Sequence, residues 1–149
     1  MTRATLRRAA LALLATSSVA ITPALAQEPQ RVLALVTTAE PQVQGMAFVL
    51  LNAMRMQGAT VEVMLCGRAA DLARREPPGP AATPMRPMNA TPAQMLAGMV
   101  RAGVRTEVCA LYLPNADIGP EALIEGVRPA QPPEMARRLI DRATTVLPF

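Results

Sequence analysis

The chain has 149 residues, 51% of them hydrophobic, with 15 basic and 11 acidic side chains and a formal net charge of +4. Every basic residue is arginine and histidine is absent, which excludes Ser-His-Asp and Cys-His catalysis, imidazole-based zinc sites, Schiff-base amines and the lysine of a phosphate-binding loop. Two cysteines are too few for an all-thiolate zinc site, so covalent chemistry is left to a thiol, a hydroxyl or a carboxylate.

Residues 1–26 read as an export signal. Arg3, Arg7 and Arg8 precede an apolar run from Ala9 to Ile21, and Ala24-Leu25-Ala26 supplies an A-x-A cleavage signature. The run is shorter than the roughly twenty residues that span a bilayer. Cleavage after Ala26 leaves one domain, residues 27–149, expected in an oxidising compartment such as the periplasm. Three arginines leave with the signal, so the remainder is close to neutral. The remaining arginines are scattered, and Phe48, Tyr112 and Phe149 are the only aromatics, so no nucleic-acid surface is expected. No later apolar stretch is long enough to cross a membrane.

RVLALVTTAE, from Arg31, reads as a buried first strand closed by polar residues. PQVQGMAFVLLNAMRMQG follows, opening on a proline and stopping at Gly58. Val43, Met46, Ala47, Leu50, Leu51 and Met54 keep i, i+3, i+4 spacing and predict an amphipathic helix with that stripe inward. ATVEVMLCG predicts a second strand of the buried type, ending at Cys66, and AADLARRE adds a helical turn or two. Residues 76–92 carry six prolines and predict a long loop, of the kind that often serves as a lid or interaction element. TPAQMLAGMVRAGV predicts a helix with Thr91 as N-cap, Pro92 at the first position, Gly103 as the stop, and Met95, Leu96, Met99 and Val100 inward.

TEVCALYL reads as the third strand, running through Pro114 and Asn115 into a loop. A short helical piece, Pro120 to Glu125, ends at Gly126. PPEMARRLIDRA predicts a helix with Met135, Leu139 and Ile140 inward, and TTVLPF a terminal strand. Strands that alternate with helices and are apolar on both faces predict an α/β fold. The form expected is a three-layer α/β/α sandwich around a mainly parallel sheet of about five strands.

Open parallel sheets bind ligands where loops leave the carboxyl ends of their strands, and both cysteines fall there. Cys109 has three readings: an inert core residue, half of a disulfide with Cys66, or a reactive thiol. The disulfide needs neighbouring strands in the right register. A reactive thiol needs positive charge or backbone N–H groups nearby, for which Arg86, Arg128 and the loop from Asn115 to Gly119 are the candidates. Cys66 is a possible second thiol. Met85 and Met88, in MRPM, are the only methionines in a polar loop context and the only candidates for Cu(I) thioether binding; the other methionines on the predicted elements fit core packing. No carboxylate pair, phosphate fingerprint or cofactor motif is present.

RVLALVTT, VEVMLCG, MLAGMVRAGVRTEVCALYLPNADIG and ARRLIDRATTVLPF, in this order and spacing, resemble the DsrE/DsrF-like family, which includes the TusD-type sulfur-relay proteins. The resemblance covers Arg31 to Phe149. It implies a compact α/β domain, assembly into trimers or hexamers, a sulfur donor or acceptor protein as partner, and a persulfide-carrying thiol at Cys109. A loop such as LPNADIGP is not typical of the relay members, and those members work in the cytoplasm. Two functions are therefore carried forward: a periplasmic persulfide carrier using Cys109, and a non-catalytic oligomeric binding module in which MRPMNATP makes the contacts.

Overall fold

The structure, a computed structural model, describes residues 28–149. The expected export signal and its cleavage point lie outside those residues. Five strands form one sheet: β1 (Arg31–Val36), β2 (Thr60–Leu65), β3 (Arg105–Val108), β4 (Val127–Pro129) and β5 (Thr144–Pro148). All neighbours pair in parallel, in the order β4-β3-β2-β1-β5. The mainly parallel α/β fold expected from the sequence is the one found.

Helices α1 (Pro41–Met56) and α2 (Pro92–Arg101) cover one face of the sheet together with a 3-10 segment, Gly67–Ala73. A single helical turn, α3 (Tyr112–Asn115), follows β3, and α4 (Pro132–Ile140) crosses the opposite face to β5. Right-handed crossovers explain this division. The chain steps one way along the sheet from β1 to β4 and then returns past β1, which moves the last helix to the other side.

Local chemistry starts and stops the helices. Thr91 accepts from the Gln94 N–H at 3.0 Å, and the Gln94 side chain accepts from the Thr91 N–H at 2.9 Å, a reciprocal capping box. Pro92 needs no partner at the first position, and Gly103, at φ 85°, ends the helix in a conformation a side chain would oppose.

Val32, Ala34, Val36, Val61, Val63, Leu65 and Val108 project from the sheet into the larger core, where Phe48, Leu51, Leu72 and Leu96 meet them. The face under α4 is different. Leu33, Ala130 and Met135 make a small apolar cluster, and beside it Glu107 is only 1% exposed. Its carboxylate accepts from Arg105 at 2.9 Å, from Arg128 at 3.1 Å and from Arg138, which also reaches Glu62 at 2.6 Å. Burial pushes the Glu107 carboxyl up, but the hydrogen bonds from Arg138, Arg105 and Arg128 outweigh it and hold the group below its ordinary value. The strands are thus not apolar on both faces: Glu62 and Glu107 belong to an ion cluster that closes one of them.

Several sequence expectations change for physical reasons. On α1 the buried residues are Gln44, Gly45, Ala47, Phe48 and Leu51, whereas Val43, Met46 and Leu50 are exposed. The helix is apolar over most of its circumference, so spacing alone could not choose the inward side. On α4 only Met135 is buried; Leu139 and Ile140 face outward. Residues 110–113 are not strand, because β3 ends at Val108 and the chain turns into α3. Residues 127–129 form an edge strand that the short segment after Gly126 did not announce.

The proline-rich segment is a long connection with a 3-10 turn at Gly79–Ala82 and a small bridge between Met85 and Ala90. It docks on α1 through Gly45, where an added Cβ would collide with the Met85 side chain. Met85 therefore fills a notch in the helix rather than standing free in the loop.

Removing Glu107 leaves the arginines gathered without their acceptor, so Glu107→Ala is expected to destabilise the fold by about 3 kcal/mol in urea denaturation. Because the folded carboxyl is held below 4.5, its contribution is full above that value and falls away as pH drops below it. The acid-induced loss of stability in the wild type should accordingly be shallower in Glu107→Ala.

Candidate functional site

β2 and β3 lie side by side with Leu65 paired to Val108, so the next residues of each, Cys66 and Cys109, emerge together at the carboxyl edge. The ladder continues through them: the Cys66 N–H donates to the Val36 carbonyl at 2.9 Å and the Cys109 N–H to the Leu65 carbonyl at 2.8 Å. Their Cα atoms are 5.0 Å apart, within the range a disulfide requires, and the two sulfurs are bonded. Of the three readings left open for Cys109, the structure has the disulfide. Among the described residues no cysteine is free.

The bond is not sealed in the core. Both cysteines are half-buried, and Cys109 lines a cleft of about 580 Å³ with Gly67, Arg68, Asp71, Arg74 and Tyr112. Cys66 is not among the residues of the cleft wall. The 3-10 segment after Cys66 positions the polar side: its Asp71 accepts from the Tyr112 hydroxyl at 2.7 Å and lies 3.7 Å from Arg68. Tyr112 is carried by the helical turn after Cys109, whose carbonyl accepts from the Tyr112 N–H at 2.9 Å. The cleft is thus built from the two segments that leave the two cysteines.

Burial and the hydrogen bond to Asp71 push the Tyr112 phenol up to about 12, so it stays a neutral donor at any physiological pH. The arginines of the cleft, Arg68 and Arg74, give it a cationic rim suited to anionic ligands. These residues went unassigned in the sequence, although the run CGRAADLARR attaches them directly to Cys66.

The charges expected beside Cys109 sit elsewhere. Arg128 donates to Glu107, and Arg86 lines a second cleft, of about 720 Å³, between α1 and the proline-rich segment. The backbone donors after Cys109 are largely engaged within their own turns: Asn115 N–H to Leu111, Ala116 N–H to Tyr112 and Ile118 N–H to Leu113. Met85 packs against Gly45 while Met88 is exposed, and among the described residues no His, Cys, Asp and Glu side chains group to hold a metal ion. Among the same residues no helix is long and apolar enough to cross a membrane.

No protein-family model matches the chain, and no curated protein matches it in sequence. Solved structures do. The ychN protein of E. coli superposes with a TM-score of 0.64 at 21% identity, over 80% of this chain and 99% of that one. MTH1491 of Methanobacterium thermoautotrophicum, described as a protein of unknown function, gives 0.58 at 13% identity, over 80% of this chain and 98% of that one. The likeness is one of fold, and it spans nearly all of both neighbours and 80% of this chain.

The chain has one tyrosine and no tryptophan, so the phenolate absorbance reports Tyr112 alone. Its titration midpoint should lie near 12 in the folded protein and near 10 in denaturant. The raised value means that stability is unaffected below pH 10 and declines as pH rises toward 12. Asp71→Ala should move the folded midpoint toward 10.

The disulfide closes a loop of 43 residues in the unfolded chain, which corresponds to about 4 kcal/mol by loop-closure entropy. Reduction should lower the unfolding free energy by an amount of that order.

Proposed function

We propose that this is an exported DsrE-like sulfur-transfer protein that works through the Cys66/Cys109 pair, with Cys109 accepting sulfane sulfur once the disulfide is reduced. The observation that carries the reading is the position of Cys109, just past the carboxyl end of an internal strand and in the wall of a cleft that carries Arg68 and Arg74. Ligands of open parallel sheets bind at that edge. The export signal expected at residues 1–26 and the disulfide are consistent with this reading, since such bonds persist in oxidising compartments.

The cycle begins with a dithiol of another protein or small molecule. One of its thiolates attacks the disulfide, its second thiol resolves the mixed disulfide, and the pair is left as two thiols while the reductant is oxidised. The Cys109 thiolate then attacks the outer sulfur of a persulfide R–S–SH. Cys109–S–SH forms, the donor's S–S bond breaks, and R–S⁻ leaves. The absence of histidine is no obstacle, because a thiolate needs no general base.

Reduced, desalted wild type should consume glutathione persulfide and liberate glutathione, whereas Cys109→Ser should lose that reaction. Equal consumption by Cys109→Ser would remove Cys109 from the role.

A second property has its own observation. Val43, Met46, Val49 and Leu50 expose an apolar strip along α1, with Met46 57% accessible, and Met88 of the docked segment extends it. Apolar strips of this kind mark contact surfaces, and we propose that this one joins copies of the chain, as the family resemblance implies. Met46→Glu with Leu50→Glu should keep the folded circular dichroism spectrum and shift the sedimenting species to the monomer. An unchanged species would place the contact elsewhere.

A further inference from the structure

We infer that Cys66 is a resolving thiol, so that the reduced chain does not hold sulfur for a second protein but discharges it as hydrosulfide and returns to the disulfide. The inference rests on the sulfur-accepting reading of Cys109 given above and concerns what happens to the sulfur afterwards.

The register of the sheet carries it. A carrier needs its persulfide to outlast the wait for an acceptor. Here the strand pairing that sets Leu65 against Val108 keeps the two cysteine Cα atoms 5.0 Å apart, on a hydrogen-bond ladder that continues through both residues. That backbone does not depend on the sulfur bond for its position, because Cys66 N–H and Cys109 N–H are held by Val36 and Leu65. After reduction the Cys66 thiol therefore remains beside the Cys109 sulfur. An intramolecular partner held in place outcompetes any external thiol at ordinary concentration.

The geometry also selects the bond that breaks. The Cys109 sulfur is the atom to which Cys66 is bonded in the structure, and in Cys109–S–SH it is the inner sulfur of the persulfide. Attack there by the Cys66 thiolate forms the Cys66–Cys109 bond, breaks the bond to the outer sulfur and expels HS⁻. The electron pair of the broken bond leaves with the outer sulfur. Hydrosulfide is a weaker base than an alkyl thiolate, which favours its departure. Attack on the outer sulfur only passes the persulfide between the two cysteines and ends in the same discharge.

Access is divided to match. Cys109 belongs to the cleft wall and Cys66 does not, although both are half-buried, so Cys109 is the sulfur that faces the cleft. Over a full turn a persulfide and a dithiol give a thiol, hydrogen sulfide and the oxidised dithiol. The activity is a dithiol-dependent persulfide reduction. Arg68 and Arg74 at the cleft fit anionic persulfides or polysulfides as its substrates.

The test follows the sulfur. Full-length protein is reduced with a phosphine, desalted without oxygen and mixed with glutathione persulfide. Hydrosulfide is measured chemically and the protein by intact mass. The wild type should release hydrosulfide stoichiometric with the chain and return to the disulfide mass, with no lasting one-sulfur adduct. Cys66→Ser and Cys66→Ala should lose that burst and keep a one-sulfur adduct on Cys109. A wild type that retains the adduct and releases no hydrosulfide would overturn the inference and leave the carrier reading standing. A glutathione adduct instead of a one-sulfur adduct on the Cys66 variants would also overturn it. Failure of the wild type and both variants to consume the donor would bring down the sulfur-accepting reading itself.

Discussion

The pairing of β2 with β3 is the constraint from which the site follows. Four registered pairs, from Glu62 with Arg105 to Leu65 with Val108, carry two separated parts of the chain to the same height on the sheet. The spacing of neighbouring strands is close to the span of a disulfide, so once the register is set the two sulfurs need no further arrangement. The same pairing determines where the following segments depart. One becomes the 3-10 turn with Arg68, Asp71 and Arg74, the other the helical turn with Tyr112, and the hydrogen bond from Tyr112 to Asp71 closes the cleft between them.

That register is in turn held differently on the two faces. Toward α1 and α2 it is held by ordinary apolar packing of Val63, Leu65 and Val108. A slip of one residue would turn these side chains out and bring charged ones in. Toward α4, Glu62 and Glu107 share Arg138, so the two strands are tied through a helix that crosses over both. A buried carboxylate with several arginines is weak evidence for net stability, but it tolerates few alternative alignments. The ion cluster and the disulfide therefore act on the same pair of strands, one beneath the sheet and one at its edge.

Much of this was legible in the sequence, and the parts that were not have identifiable causes. The capping pattern at Thr91 and Pro92, the stops at Gly58 and Gly103 and the Val- and Leu-rich strands gave the order of elements, because each depends on neighbours in the chain. The orientation of α1 was not legible: Val43, Met46 and Leu50 have the spacing of a core stripe, and so do Ala47 and Leu51 beside them. The end of β3 is not legible because Val108, Ala110, Leu111 and Tyr112 read as one continuing apolar run, whereas the chain turns into α3 after Val108 and Tyr112 bonds to the distant Asp71. Cys66 and Cys109 were both visible as edge residues. Their partnership is one of three readings the sequence leaves open, since register is a property of two strands and no single segment contains it.

Gly45 shows how an absent side chain can tie two distant segments together. The methyl end of Met85 occupies the space that any larger residue at 45 would claim, so the proline-rich segment and α1 share one volume. A larger residue at position 45 obliges the flexible end of Met85 to swing out of the notch, or a shorter residue to take its place. Across related sequences the sizes of the residues at these two positions should therefore be linked, one filling the volume that the other leaves.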